Sequence, residues 1–230
     1  IKKLILEFAK LNNVILELRT KSDKVADVLN LKHNGRTVIG FSLNPQSIID
    51  LAEKNTANLQ QRLHAMKQVV NSGYLVSLHL DPIILLSNWE EEYLSMIDQI
   101  FSLINKDQLA WISISALRFD KKIKSIMFQR FKNSKILGLE LSLSNDNKYR
   151  HIKPLRIKAY KKIIEKIKQY CSDKVFIYLC MESQDVWKKV FGVVPQSSQD
   201  LEYQISHNLY SRFSYLFCYP ATEFYYVKNA

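Results

Sequence analysis

Polar residues collect where strand-like apolar runs give out, the position from which side chains meet a ligand in parallel α/β folds. After Val14-Ile15-Leu16-Glu17-Leu18 come Arg19, Thr20 and Lys21, and the run from Thr37 to Leu43 ends with Ser42 and Asn44. The run from Tyr74 to Leu80 carries His79 and leads to Asp81, and Ala110 to Ser115 brings Ser113, Ser115 and Arg118. Glu140 closes the run from Lys135 to Leu141, and Cys180, Glu182 and Ser183 follow Val175 to Cys180. If all these strands run parallel, the groups converge on one face. His79 and Asp81, two apart on a strand, share a side and read as a metal half-site or a hydrogen-bonded pair. Asn44 before Pro45 also suits a helix cap, and Glu182 a catalytic acid or a helix N-terminal acid. Cys180 reads as a reactive thiol or as part of the core. Cys171, Cys180 and Cys218 match no zinc or redox spacing. There is no Gly-rich phosphate loop and no G-x-S-x-G element.

The elements that must hold these residues alternate. Apolar residues at helical spacing mark helices over 1–12, 24–29, 45–53, 57–71, 89–104, 121–131, 154–171 and 184–190, between six expected strands. Repeated β-α units with strongly apolar strands predict a parallel sheet covered by helices, as an open sheet or as part of a (βα) barrel. From Tyr203 to Tyr226 the pattern changes to nine aromatic residues with little periodicity. That tail reads as an aromatic cap packed on the body, or as a base-stacking surface.

Charge is unevenly spread. Over 118–135 and 148–168, sixteen basic residues face two acids, a net +14, while the other 191 residues carry −3. Such clustering is the footprint of a polyanion partner, or of solvated helix faces. The chain of 230 residues is 47% hydrophobic with 5 Gly and 5 Pro, which excludes collagen-like and largely disordered classes. No apolar run reaches the ~18–20 residues a membrane helix needs. Three scattered cysteines argue against a disulfide framework and fit a reducing cytoplasm. The start at Ile1 reads as a piece of a longer protein.

An ordered series of segments carries a resemblance. Phe41-Ser42-Leu43-Asn44-Pro45 is followed by Glu53, Thr56, Leu59, Arg62 and Ala65, then Gly73-Tyr74 and His79-Leu80-Asp81-Pro82-Ile83-Ile84. Trp89-Glu90, Tyr93, Trp111-Ile112-Ser113, Leu117-Arg118-Phe119, Lys148-Tyr149-Arg150, Arg156, Tyr160 and Tyr178-Leu179-Cys180-Met181-Glu182-Ser183 complete it. Over residues 11 to about 192 this resembles the spore photoproduct lyase family of radical S-adenosylmethionine (SAM) enzymes, in particular its lyase-like branch. The resemblance implies a partial (βα)6 TIM-like barrel, here missing its first strands, over 1–192, with 193–230 as an aromatic-rich extension packed on it. It implies a 4Fe-4S cluster held by a C-x-x-x-C-x-x-C loop, and SAM cleaved to a 5′-deoxyadenosyl radical that opens a thymine dimer in DNA.

The family's cysteine motif is absent here, as is any early cysteine. Thiolates at fixed spacing hold such clusters, so the chain alone is expected to be inactive, with cluster and SAM belonging to the intact protein. Ser115 and Ala116 also stand where relatives usually carry Gly-Thr. By resemblance Lys21 meets the SAM carboxylate and Ser42 hydrogen-bonds SAM; Asn44 is a further cofactor-side candidate, and Asp81 is placed to reach a ribose hydroxyl. Arg118, Lys148, Tyr149, Arg150 and Arg156 fall where the lyase grips DNA, and His79, Glu140 and Glu182 are further pocket candidates. The alternatives are a nucleic-acid-binding module that has lost its cluster, and an unrelated α/β enzyme using His79, Asp81 and Glu182. DNA and SAM are the expected partners, with no membrane, and an exposed barrel edge suggests a homodimer.

Overall fold

A computed structural model of the chain describes residues 1–132 and 134–225. Helix α1 (Lys2–Phe8) leads to β1 (Leu16–Thr20), then α2 (Ala26–Leu29), β2 (Thr37–Ser42), α3 (Gln46–Ala52), α4 (Leu59–Asn71) and β3 (Leu75–Ile83). Next come α5 (Trp89–Phe101), β4 (Leu109–Ala116), β5 (Arg118–Asp120), α6 (Lys121–Arg130), β6 (Leu141–Leu143) and β7 (Lys148–His151). The chain continues through α7 (Lys153–Cys171), β8 (Phe176–Leu179), α8 (Gln184–Phe191) and α9 (Ser198–Arg212).

Five strands form one parallel sheet in the order β1-β2-β3-β4-β8. All eight residues of β4 are buried, as expected of a strand covered on both faces. Local chemistry sets the helices between strands. Asn58 and Gln61 form a reciprocal capping box at the start of α4, and Gly73, at φ +85°, lets the chain turn out of that helix into β3. Tyr93, Met96, Ile97 and Ile100 bury one side of α5 against the same core. β1 is an edge strand, paired only with β2 among the described residues. No helix of the described residues is long and apolar enough to cross a membrane.

The expected strand over 135–141 is not one. Lys135–Gly138 is a 3-10 turn, and β4 pairs directly with β8. Ile136 instead closes a small second core with Ile48 and Ile84. The chain then forms a separate antiparallel sheet in the order β5-β7-β6, so Lys148-Tyr149-Arg150 lies on a strand. A short apolar run fits a strand or a buried turn equally, and only the tertiary partner decides.

The carboxyl-terminal extension contains the 15-residue helix α9, where little periodicity predicted none. Leu209, Phe213 and Phe217 join the main core, while Tyr215 and Tyr219 stay exposed. Arg212 donates to the carbonyls of Lys106, Leu109 and Ala110 at 2.5, 2.7 and 3.2 Å, which pins the end of α9 to the start of β4. Tyr226 and the last residues of the 193–230 segment lie outside the described residues.

Candidate functional site

Lys21 follows β1 and Asn44 follows β2, and a single carboxylate joins them. Glu53, just past α3, accepts from Lys21 Nζ at 2.7 Å and from Asn44 Nδ2 at 2.9 Å through Oε1, and from Arg62 Nη2 at 2.6 Å through Oε2. Arg62 is fully buried and also donates to the carbonyls of Ala57 and Ser42. Tyr93 extends the network, donating to Asn44 Oδ1 at 2.8 Å and accepting from the Ile84 amide at 2.9 Å. Burial pushes the Glu53 carboxyl up, but the Lys21, Asn44 and Arg62 donors outweigh it and hold it below the usual range. Asn44 is thus a connector within the rim rather than a cap of α3, which has no side-chain cap at its start. Lys21 remains about one-third exposed, a cation fixed at the carboxyl edge of the sheet.

One step down the strands lies a second polar cluster. Ser42, His79, Ser113 and Tyr178 are register partners across β2, β3, β4 and the last strand, so they share one face. Arg19, Gly40 and Ser77 form a second such row. Glu17 reaches across β2 to accept from Ser77 Oγ at 2.7 Å and to pair with His79 Nε2 at 2.7 Å. Gly40 makes this crossing possible, because a Cβ there would lie 2.8 Å from Ser77 Oγ and 2.9 Å from His79 Nε2. Burial raises the Glu17 carboxyl, yet His79, Ser77 and Arg19 together bring it down to about 2. The His79 side chain is almost wholly buried and its Nδ1 has no partner among the described residues. His79 meets Glu17 and Asp81 meets Arg118, so the two do not form the pair with each other that their spacing suggested.

Asp81 sits at the mouth with Arg118, whose Nη1 is 3.6 Å from Asp81 Oδ1 and donates to Ser115 Oγ. The Cys180 thiol is kept protonated, first by burial and then by the Asp81 charge. Arg118 therefore lies in the mouth of the sheet instead of on an outer basic face. Glu182 pairs with Arg156 Nε at 2.8 Å and accepts from Tyr160 at 2.7 Å, with its side chain and that of Arg156 almost fully buried. Arg156 also donates to the His151 carbonyl. This guanidinium is thus held by groups of the protein itself. Arg150, expected at a phosphate, makes a two-pronged pair with Asp146 at 2.6 and 2.7 Å. Glu140 is exposed beside β6, away from the parallel sheet, because the strand expected to present it does not form. A cleft of about 500 Å³ separates the β6–β7 turn from the end of the last strand, with Arg150, Lys153, Arg156 and Glu182 in its wall.

Folding redistributes the charge that the sequence places in two blocks. On α7, Lys158 and Lys162 face Glu90, Lys166 faces Asp98, and Lys168 faces Asp173, so much of that block is neutralised by neighbouring acids. Lys121, Lys122, Lys124 and Arg130 of α6 have no ion-pair partner among the described residues. Lys148 and Tyr149 border this helix: Tyr149 packs against Phe119 at 5.7 Å between centroids, with Lys124 Nζ 4.2 Å above its ring. The basic residues of α6 are thus left without an acid partner among the described residues, while Lys148 and Arg150 of the antiparallel sheet share Asp146. Sequence reasoning left Glu17 and Ser77 unassigned, and Glu53 and Arg62 appeared only as members of a motif. The glycine inside β2 was the available signal for a close crossing.

Comparison with known proteins agrees with this architecture. The family model for spore photoproduct lyase matches residues 1–181. The spore photoproduct lyase of Clostridium acetobutylicum is 29% identical over 136 residues, covering 59% of this chain and 40% of that protein. That of Bacillus subtilis is 28% identical over 138 residues, with the same coverage of each. A solved spore photoproduct lyase complexed with dinucleoside spore photoproduct superposes with a TM-score of 0.68 at 22% identity, over 78% of this chain and 55% of that one. A mutant of that enzyme with bound AdoMet and dinucleoside spore photoproduct gives 0.68 at 21% identity, over the same shares. The fold is therefore the α/β partial barrel expected, and the match spans about 40% of the length of the curated relatives.

Proposed function

Since the chain belongs to the spore photoproduct lyase family, we propose that it is the carboxyl-terminal part of a radical SAM enzyme that cleaves a thymine dimer or related lesion in DNA. The observation that carries this reading is the Lys21–Glu53–Arg62 network at the carboxyl edge of the parallel sheet. It holds one cation at a fixed place while leaving it partly open to a ligand. Lys21 would hold the SAM carboxylate, Ser42 a further polar atom of SAM, and Asp81 a ribose hydroxyl. SAM, when bound in the intact protein, supplies the adenosyl fragment on which the family's chemistry depends. Asn44 keeps Glu53 and Tyr93 in place beside these groups.

The residues present do not fit an iron–sulfur cluster. Cys171 is buried at the end of α7, Cys180 follows the last strand and Cys218 lies in the extension, with no three-ligand group among the described residues. No step through a cluster is assigned to this chain, which by itself is expected to be inactive.

The test is the complete polypeptide. A C-x-x-x-C-x-x-C segment is expected upstream of Ile1, and anaerobic reconstitution with iron and sulfide should yield a brown protein that forms 5′-deoxyadenosine from SAM. Lys21→Ala should weaken SAM binding; unchanged affinity rejects its assignment, and a complete gene without the cysteine segment rejects the catalytic reading. In that event the second reading stands: a DNA-binding module without a cluster, favoured by the unpaired lysines of α6 beside Lys148 and Tyr149.

A further inference from the structure

The carboxyl-terminal extension closes the end of the parallel sheet opposite Lys21. Asn208 Nδ2 donates to the Lys174 carbonyl at 2.9 Å, just ahead of β8. Arg212 holds the start of β4, and Cys218 Sγ donates to the Asn12 carbonyl at 3.3 Å, ahead of β1. One segment thus ties three strands at their amino ends. The closure leaves a cavity of about 480 Å³ between α9 and the sheet. Its floor continues the face that carries the Glu17–His79 cluster, because Ile15 stands two residues before Glu17 and Trp111 two before Ser113. Phe217 and Tyr219 line it from the extension, and Tyr225 is braced against α9 by a 2.7 Å hydrogen bond to Ser206 Oγ. Most of this wall comes from residues beyond the family match, which ends at 181. Arg36, in the turn before β2, lies 6.0 Å from the Phe217 centroid, and its guanidinium has no acid or carbonyl partner among the described residues. Glu202 stands on the exposed rim.

We propose that this cavity binds a small planar aromatic carboxylate, with its ring among Trp111, Phe217 and Tyr225 and its carboxylate on Arg36. The volume falls within the roughly 300–1,000 Å³ of ligand sites, and apolar walls with a few polar groups are their usual make-up. Rings around the cavity favour a flat ligand, since stacked and edge-on contacts add to the gain from burying apolar area. A guanidinium without a partner beside that apolar surface offers two parallel donors that match a carboxylate. Glu202 disfavours a second negative charge at the rim, so the ligand carries one. The site lies at the opposite end of the sheet from Lys21, and the assignment does not depend on the SAM or DNA readings above.

Calorimetric titration of this chain with cinnamate, and with cinnamyl alcohol as its uncharged counterpart, tests it. Cinnamate should bind at one site and more tightly than the alcohol. Arg36→Gln should weaken cinnamate about 10-fold and the alcohol less than about twofold, the size expected for a lost charge-assisted hydrogen bond. Ile205→Trp, which fills the cavity from α9, should abolish binding of both. Bound cinnamate should also slow the reaction of Cys218, a lining residue, with a thiol reagent and leave Cys180 unaffected. Absence of cinnamate binding, an equal loss for acid and alcohol in Arg36→Gln, or an unprotected Cys218 overturns the assignment. Binding that appears only after removal of residues 226–230 also overturns it, in favour of the chain's own end as the occupant.

Discussion

Glu17 and His79 stand 62 residues apart in sequence and meet at 2.7 Å over the bare backbone of Gly40. The glycine is the condition of the pair. Gly40→Ala places a Cβ within 3 Å of both Ser77 Oγ and His79 Nε2, inside a packed sheet. It should destabilise the fold by about 1–3 kcal/mol, as overpacking does, with the urea midpoint as the readout. Gly138→Ala, where an added Cβ meets nothing within 4 Å, serves as the neutral control.

The same pair sets an acid limit. The Glu17 carboxyl is brought from its ordinary value of 4.5 to about 2 in the folded state. A depressed carboxyl contributes stability above its unfolded value and loses it as pH falls through the folded one. Urea midpoints should therefore drop between pH 4.5 and pH 2, and Glu17→Gln should make that stretch of the profile flatter. An unchanged profile in the variant would show that Glu17 does not carry the effect.

Arg62 and Lys21 share Glu53 but not its surroundings. Arg62 is fully buried, so Arg62→Ala removes the buried partner of Glu53 and leaves only Lys21 and Asn44 on it; it should cost about 3 kcal/mol by denaturant unfolding. Lys21 is partly solvated, and Lys21→Ala should cost less than about 1 kcal/mol. That difference makes Lys21→Ala usable as a binding variant.

Charge reversal separates the two basic blocks. Reversing Lys158 and Lys162, which already face Glu90, should change the salt dependence of DNA binding little. Reversing Lys121 and Lys122 should lower affinity for every DNA sequence and reduce the salt slope by about one per lost phosphate contact. Equal effects from the two pairs would place the interface on α7 as well.

The thiols should react in order of access. Cys218 is exposed, Cys180 is partly covered, and Cys171 is buried with its thiol pushed up to about 11 by burial. A thiol-disulfide reagent at pH 8 should modify Cys218 first and Cys171 only on unfolding.

The parallel strands were legible because their apolar runs are unbroken and bounded by polar residues: β2 and β4 lie within one residue of expectation, while β3 runs on to Ile83, three residues past it. The run over 135–141 misled because seven residues with four Ile or Leu side chains fit either a strand or a turn, and Ile136 found its partners at Ile48 and Ile84. Lys21, Ser42 and Asp81 did end at the mouth of the sheet, since strand polarity alone puts them there. The Arg156–Glu182 pair was not legible: it depends on α7 crossing the end of β8, and charge counting treats a buried guanidinium like a solvated one. Neutralisation of α7 by α5 was hidden for the same reason, as Lys158 and Glu90 lie on different helices.

The unpaired side of β1 carries a directional constraint. A segment that joined the sheet there in the prevailing sense would point its carboxyl end toward Lys21, as β2, β3 and β4 do from the other side. Whatever loop came after such a segment would open within reach of that ammonium. The location of any group delivered by an adjoining length of polypeptide is therefore prescribed by hydrogen-bond polarity, before a single contact of its own is made.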